Sequence, residues 1–173
     1  IALASAFEMK DPYTAGHQKR VTEIASAIAL EMDIEKERFQ GMRLASLVHD
    51  IGKINVPTEI LSKPGIITEP EFALIRTHSQ AGYDILKKIN FPWPISRIVL
   101  QHHERMDGSG YPNGLSGREI LLEARIIAVA DVIEAMATHR PYRASLGIEK
   151  ALEEIERNRG QLYDKDVADT CLR

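Results

Sequence analysis

Apolar residues recur at intervals of three and four along most of this 173-residue chain. This spacing is typical of amphipathic helices, and no segment alternates between apolar and polar residues as a half-buried strand would. We therefore predict an all-α bundle of roughly six to eight helices. The predicted apolar stripes lie around residues 17–28, 39–49, 72–85, 95–102, 124–131 and 148–155.

Capping residues and helix breakers set the predicted boundaries. Asp11 and Pro12 are typical of a helix start, Thr68 can cap a helix beginning at Glu69, and a strongly apolar helix is expected over 118–138. Glycine and proline between 52 and 65 indicate a loop with short helical turns. The glycine-rich segment 105–117 is predicted to be a long loop, and such loops in compact domains are usually functional or disordered.

Four of the six histidines fall on the predicted inward stripes of four different helices. A single core histidine is more often satisfied by a carbonyl oxygen than by a metal, and a lone His-Asp pair is more often a cap. Four together would each need a separate partner, whereas one metal centre in the bundle satisfies all of them. The four are His17, His49, His78 and His102, and His103 adjoins the last.

Two aspartates complete the candidate metal centre. Asp50 follows His49 directly, and Asp131 lies in an apolar segment where an unpaired carboxylate would be costly. Seven candidate ligands are too many for one tetrahedral ion and suit two ions about 3.5–4 Å apart, which can convert a bridging water to hydroxide for attack on phosphorus. Lys53 could contact a phosphate oxygen or protonate a leaving alkoxide, or be a solvated surface lysine.

Several motifs occur in order along the chain. They are Asp-Pro-Tyr-Thr-Ala-Gly-His at 11–17, His-Asp-Ile-Gly-Lys at 49–53, His78, His102-His103-Glu104, Asp107-Gly108-Ser109-Gly110-Tyr111-Pro112, and Arg140-Pro141-Tyr142-Arg143. Together they resemble the HD-GYP family of the HD phosphohydrolase superfamily, whose members are bacterial cyclic di-GMP phosphodiesterases, usually output domains behind a sensor.

This resemblance implies two ions that share the Asp50 carboxylate as a bridge. Iron or manganese is the implied metal, and the ligand chemistry also admits zinc. A family variant with a third ion has glutamate where this chain has Tyr13, so two ions are expected. The implied ligands are His17, His49, Asp50 and Asp131 for one ion, and Asp50, His78, His102 and His103 for the other.

The resemblance also implies how substrate is held. Arg140 and Arg143 match the family's basic pair for phosphate, and guanidinium groups can also engage a guanine edge. Tyr111 could stack on a base, while Gly110 permits close backbone approach. Lys53 is expected at the scissile phosphate. Alternatively, the 105–117 loop could be a rigid cap or a docking surface for diguanylate cyclase (GGDEF) domains.

The roles of three further polar residues remain open. Glu104 and Asp107 could orient ligating imidazoles or cap turns, and the sequence does not decide between them. His139 replaces the aspartate found in another common version of the family, so we leave it out of the metal set.

Charge, cysteine content and the length of apolar runs exclude several classes of protein. A net charge of −3, with 22 Lys and Arg against 25 Asp and Glu, argues against a DNA-binding or membrane-surface protein. One cysteine excludes an internal disulfide and suits a reducing compartment, so a cytoplasmic location is expected. No apolar run approaches 18 residues. We expect residues 1–173 to be one domain taken from a longer signalling protein with an upstream sensor or receiver, and a homodimer is possible.

The leading hypothesis is metal-dependent hydrolysis of cyclic di-GMP to linear pGpG and possibly GMP. A hydrolase of another cyclic nucleotide is the alternative within enzymes, because pocket shape decides specificity. From a different class, the chain could be a catalytically weak module that binds cyclic di-GMP and signals its occupancy. A purely structural dimerisation bundle would leave the inward histidines unexplained.

Overall fold

The computed structural model describes residues 16–138 and 145–173. These two ranges contain eight α-helices, two short 3-10 helices and no β-sheet, so the predicted all-α class is confirmed. The 3-10 helices are Ile51–Asn55 and Gly117–Glu119. The α-helices are α1 His17–Glu31, α2 Lys36–Val48, α3 Thr58–Leu61, α4 Glu69–Leu86, α5 Ile95–Gln101, α6 Leu122–Ala137, α7 Ile148–Arg157 and α8 Lys165–Cys171.

Helix α6 forms the centre of the bundle. It packs against α1, α2, α5, α7 and α8, and its residues 124–130 are buried except for Arg125. A helix that is apolar on nearly all sides is stable only when other elements surround it. This central position carries Asp131 into the interior of the protein, although its side chain remains 15% exposed.

The chain departs from the predicted boundaries at the start of α6. Helix α6 begins at Leu122, four residues after the predicted start, because Gly117–Glu119 form a separate 3-10 turn with a Ser116–Glu119 capping box. The Leu121 N–H donates to Gln101 Oε1 at 2.8 Å, which ties the extended connection to the end of α5. The predicted helix start at Asp11 and Pro12 lies outside the described residues.

Helix α4 is the least covered of the long helices. Phe72 was expected on its inward stripe but is 36% exposed, because only the C-terminal half of α4 packs against α5 and the Ile51–Asn55 turn. Within the described ranges, no helix is both long and apolar enough to cross a membrane.

A glycine allows the segment after α2 to lie directly on α4. A Cβ atom added at Gly52 would lie 1.9 Å from the carbonyl oxygen of His78 and 2.5 Å from the Gly82 nitrogen. Only glycine fits so close an approach. Gly52 therefore allows Asp50, two residues earlier, to come within 3.5 Å of His78 on α4.

Candidate metal centre

Three histidines are held in the same way by their own helices. The ring Nδ1 lies close to the carbonyl oxygen three residues earlier, at 2.7 Å for His49, 2.7 Å for His78 and 2.6 Å for His102. A carbonyl oxygen can only accept, so Nδ1 must carry the hydrogen. Each Nε2 atom therefore presents a lone pair, which is the form of imidazole that binds a metal.

His17 is held by side chains instead. It is the first residue of α1, and its Nδ1 forms a short hydrogen bond with a carboxylate oxygen of Glu134 on α6. Its Nε2 lies 3.3 Å from Asp131 Oδ1. Burial alone would lower the pKa of His17, but the hydrogen bonds with Asp131 and Glu134 raise it to about 9. The carboxylates of Asp131 and Glu134 therefore favour a positive charge at His17.

Asp50 lies between the histidines and faces them with both oxygens. Its Oδ2 is 3.6 Å from His17 Nε2 and 3.5 Å from His49 Nε2, whereas its Oδ1 is 3.5 Å from His78 Nε2. Lys53 Nζ donates to Oδ2 at 2.7 Å. One carboxylate thus meets two sets of imidazoles through different oxygens, as a bridging ligand would.

The donors fall into two groups, and within each group the ligand atoms lie within 4.8 Å of one another. The first donor group is His17, His49 and Asp50, with Asp131 beside it. The second donor group is His78, His102 and His103. The rings of His49 and His102 connect the groups, with centroids 5.1 Å apart. All seven predicted ligands are therefore brought together, from α1, α4, α6 and the residues that follow α2 and α5.

Two features of these donors fit cations. His49 Nε2 is buried without a hydrogen-bond partner. His78 Nε2 and His102 Nε2 face each other at 3.3 Å, although both carry lone pairs when their Nδ1 atoms donate to carbonyls. Buried polar atoms without partners are costly, and facing lone pairs repel. Positive ions placed at the two donor groups would satisfy all three nitrogens.

The protonation states of four other donors also fit. Burial and the neighbouring imidazoles lower the pKa of His102 to about 3 and hold that of His103 well below its usual value, so both rings are neutral. Burial would raise the pKa of Asp50, but Lys53 and the surrounding histidines keep it well below the ordinary range. Burial would also raise the pKa of Asp131, but its hydrogen bond with His17 keeps that pKa well below the ordinary range, so Asp131 is ionised. Neutral imidazoles and ionised carboxylates are the forms that coordinate metals.

The sequence prediction missed the pair that holds His17. Glu134 accepts from Arg20, whose Nε and Nη2 lie 2.8 Å and 2.6 Å from Glu134 Oε1. Glu134 follows Asp131 by three residues, and Arg20 follows His17 by three, so each shares a helix face with a candidate ligand. That spacing was the available signal. A carboxylate on the far nitrogen of a ligating histidine orients the ring and increases its basicity.

We expect Glu134→Gln to weaken metal binding by about 10- to 100-fold, the usual effect of removing such a partner. The amide keeps the shape of the side chain but loses the charge that orients His17 and pairs with Arg20. Titration of the metal-free variant with Mn²⁺ measures the change. Glu37→Gln, at an exposed position on α2, is the control. Equal Mn²⁺ affinity in the two variants would exclude this role for Glu134.

The glycine-rich loop covers the second donor group. The Tyr111 ring stacks on His103, with centroids 4.7 Å apart and planes 29° from parallel. A Cβ at Gly110 would lie 2.4 Å from Glu104 Cα, so glycine is required for this loop to close. The substrate contacts predicted for Tyr111 and Gly110 stay predictions, but Tyr111 borders the histidines.

Glu104 and Asp107 both hold the loop in place by accepting hydrogen bonds from backbone N–H groups. Glu104 is buried, and its two oxygens accept from the backbone N–H groups of Asn113 and Leu115 at 2.8 and 3.0 Å. Asp107 accepts from the Ser109 N–H at 3.0 Å within a turn. Glu104 thereby fixes the loop that carries Tyr111.

The predicted phosphate-binding pair, Arg140 and Arg143, lies outside the described residues, as does His139. Their assignment to substrate stays a prediction from sequence.

Known proteins resemble this chain in sequence over nearly its whole length. Residues 2–167 match the family model described as HD domain. The chain is 39% identical over 173 residues to "Cyclic di-GMP phosphodiesterase response regulator RpfG" of Xanthomonas campestris pv. campestris, covering 99% of this chain and 46% of that protein. It is 41% identical over 157 residues to "3'3'-cGAMP-specific phosphodiesterase 3" of Vibrio cholerae, covering 91% and 34%. The chain thus spans less than half the length of these relatives.

A solved structure shares the fold. The crystal structure of a cyclic GMP-AMP specific phosphodiesterase of V. cholerae, V-cGAP3, aligns with a TM-score of 0.76 at 19% sequence identity. The alignment covers 99% of this chain and 46% of that one. At this identity the likeness concerns the helical architecture alone.

Proposed function

Because this chain belongs to the HD domain family, whose members bind divalent metals, we propose that it is a binuclear metal-dependent phosphodiesterase that hydrolyses cyclic di-GMP. The observation that carries this proposal is the placement of Asp50, whose two oxygens face two separate sets of imidazoles. Relatives named as cyclic dinucleotide phosphodiesterases support the reaction class.

The proposed ligand sets follow the two donor groups. One ion would be held by His17, His49, Asp50 and Asp131, and the other by Asp50, His78, His102 and His103. Iron or manganese suits this mixture of imidazole and carboxylate, and zinc is chemically compatible. Two divalent ions would lower the pKa of a bound water and stabilise charge on the phosphate oxygens.

Lys53 is the proposed catalytic side chain of the protein itself. Its Nζ lies beside Asp50, and the side chain is 21% exposed, so the ammonium is close to the donor groups without being enclosed. There it would contact a phosphate oxygen or give a proton to the leaving ribose oxygen. In the overall reaction the oxygen of water forms a bond to phosphorus, and the phosphorus bond to the ribose 3′ oxygen breaks. That oxygen takes up a proton, which gives linear pGpG, and a second cleavage would give GMP.

Substrate contacts are proposed for the loop residues beside the second donor group and for the basic pair Arg140 and Arg143. Tyr111 lies against His103, and Gly110 allows the loop to approach closely. Arg140 and Arg143 are proposed to bind phosphate oxygens. A planar guanidinium can hold two oxygens at once.

Hydrolysis of 3′3′-cGAMP is the second candidate, favoured by the relative that is 41% identical and named for that substrate. A module that binds cyclic di-GMP without turnover is the remaining alternative. The complete donor set and Lys53 argue against it, because a protein that only binds its ligand has no need of two ionised carboxylates among five imidazoles.

Product analysis tests the function. Protein loaded anaerobically with Fe²⁺ or Mn²⁺ is incubated with cyclic di-GMP or 3′3′-cGAMP, and the nucleotides are separated by chromatography. We expect pGpG from cyclic di-GMP at the higher rate. Binding of cyclic di-GMP with no linear product would favour the sensor, and faster cleavage of 3′3′-cGAMP would favour the second candidate.

The chain's place in a larger protein is also proposed. We regard residues 1–173 as one catalytic domain that works with an upstream sensor or receiver, which agrees with a relative named as a response regulator. Docking of GGDEF domains on the 105–117 loop and formation of a homodimer are further proposals from the sequence.

A further inference from the structure

A cavity of about 860 Å³ lies between α4 and the glycine-rich loop, next to the candidate metal centre. Tyr111 forms part of its wall and also stacks on His103, so the cavity and the second donor group share this side chain. The volume falls within the range of pockets that hold small ligands. Its polar lining comes mainly from one side of α4, with Arg76, Gln80 and Asp84 at successive intervals of four residues, and from Lys88 just after the helix ends.

Arg76 is the side chain best placed to recognise a ligand there. Its guanidinium carbon lies 4.4 Å from the Phe72 ring centroid and 5.6 Å from that of Tyr111. Cation–π contacts with the two rings restrain the guanidinium group. Among the described residues, Arg76 forms an ion pair with Glu69 at 3.7 Å, between side chains 44% and 77% exposed. Such an exposed pair is weak and can be exchanged for a ligand.

The chemistry of a restrained arginine fits one nucleobase in particular. Guanine presents two adjacent acceptors, N7 and O6, which match two parallel N–H groups of a guanidinium. Adenine places an amino group where guanine has O6, and this donor would oppose the arginine donors. The amides of Gln80 and Asn113, both in the cavity lining, offer donors and acceptors to the remaining edges of a base.

We propose that this cavity binds one guanine base of the cyclic dinucleotide, and that Arg76 selects guanine over adenine through N7 and O6. This assignment rests on the proposed function and makes the cavity its specificity site. Tyr111 then joins the two parts of the site, because one ring contacts both His103 and the cavity.

Binding of cyclic di-GMP and cyclic di-AMP to the metal-loaded protein, measured by calorimetry, tests the proposal without relying on turnover. The wild type should prefer cyclic di-GMP. We expect Arg76→Ala to weaken cyclic di-GMP binding by about 10- to 100-fold and cyclic di-AMP binding far less. Arg76→Lys keeps the charge but not the paired donors, so it should not restore the preference. Arg97→Ala, at an exposed position on α5 outside the cavity lining, is the control.

Hydrolysis of bis(4-nitrophenyl) phosphate, which has no base, separates this proposal from the proposed function. We expect the wild type and Arg97→Ala to cleave it at the same rate, so phosphodiester cleavage is measured independently of the guanine site. Absence of cleavage of every phosphodiester by the wild type would contradict the proposed function alone. Equal loss of both cyclic dinucleotides in Arg76→Ala, restored preference in Arg76→Lys, or a wild type without preference would overturn the guanine assignment.

Discussion

Asp50→Ala is expected to abolish hydrolysis of cyclic di-GMP, lowering kcat by about 10³-fold or more, because it removes the carboxylate shared by both donor groups. The substitution also leaves Lys53 without the partner that lies 2.7 Å away. A positive charge would then remain among imidazoles with less negative charge to balance it. Steady-state kinetics and elemental analysis of the same preparation measure the two losses together.

Asp166→Ala is the matched control for this substitution. Asp166 is an exposed aspartate in the first turn of α8 and belongs to neither donor group. Its variant should keep wild-type kcat and metal content. Circular dichroism of both variants distinguishes local loss of metal from general unfolding. An Asp50→Ala protein that retains both ions and normal turnover would refute the bridging role.

Lys53→Met is expected to lower kcat by about 10²- to 10⁴-fold, the range typical of a lost proton donor or phosphate contact. Methionine keeps most of the side-chain length while removing the ammonium group. Lys53 is the charged group that lowers the Asp50 pKa most. Without its ammonium, the Asp50 pKa should rise and the carboxyl should become easier to protonate. Metal content at neutral pH should nevertheless stay close to that of the wild type, because all seven proposed ligands remain.

Lys165→Met supplies the control for the lysine. Lys165 donates to Asp169 at 2.6 Å on α8, a similar pairing at a 65% exposed position apart from the donor groups. Its loss should leave kcat unchanged. If Lys53→Met instead loses metal in proportion to activity, Lys53 acts by positioning Asp50 and does not contact the substrate.

The sequence predicted the helices and the donor set because both depend on regular spacing. His17, His49, His78 and His102 each fell on an inward helix face, and a buried imidazole is costly enough that four of them indicate a shared partner. The structure brings all four together with Asp50. Convergence could be inferred in this way because it needs only the direction of each side chain.

Features that depend on distant contacts could not be predicted. The late start of the predicted 118–138 helix, at Leu122, accompanies the hydrogen bond from Leu121 to Gln101, and no local sequence pattern indicates that bond. Glu134 would have required knowing that α1 packs on α6. The cavity beside Arg76 depends on where the glycine-rich loop lies against α4, which spacing along the chain does not reveal. Apolar spacing likewise predicted Phe72 in the core, although it is 36% exposed.

The number of divalent ions bound per chain tests the central claim most directly. Metal-free protein is titrated anaerobically with Mn²⁺, and bound metal is determined by elemental analysis and electron paramagnetic resonance. We predict two ions per chain with a spin-coupled signal, since one carboxylate would join them, and fewer than two in Asp50→Ala. One isolated ion, or none, in the wild type would contradict a centre built from both donor groups.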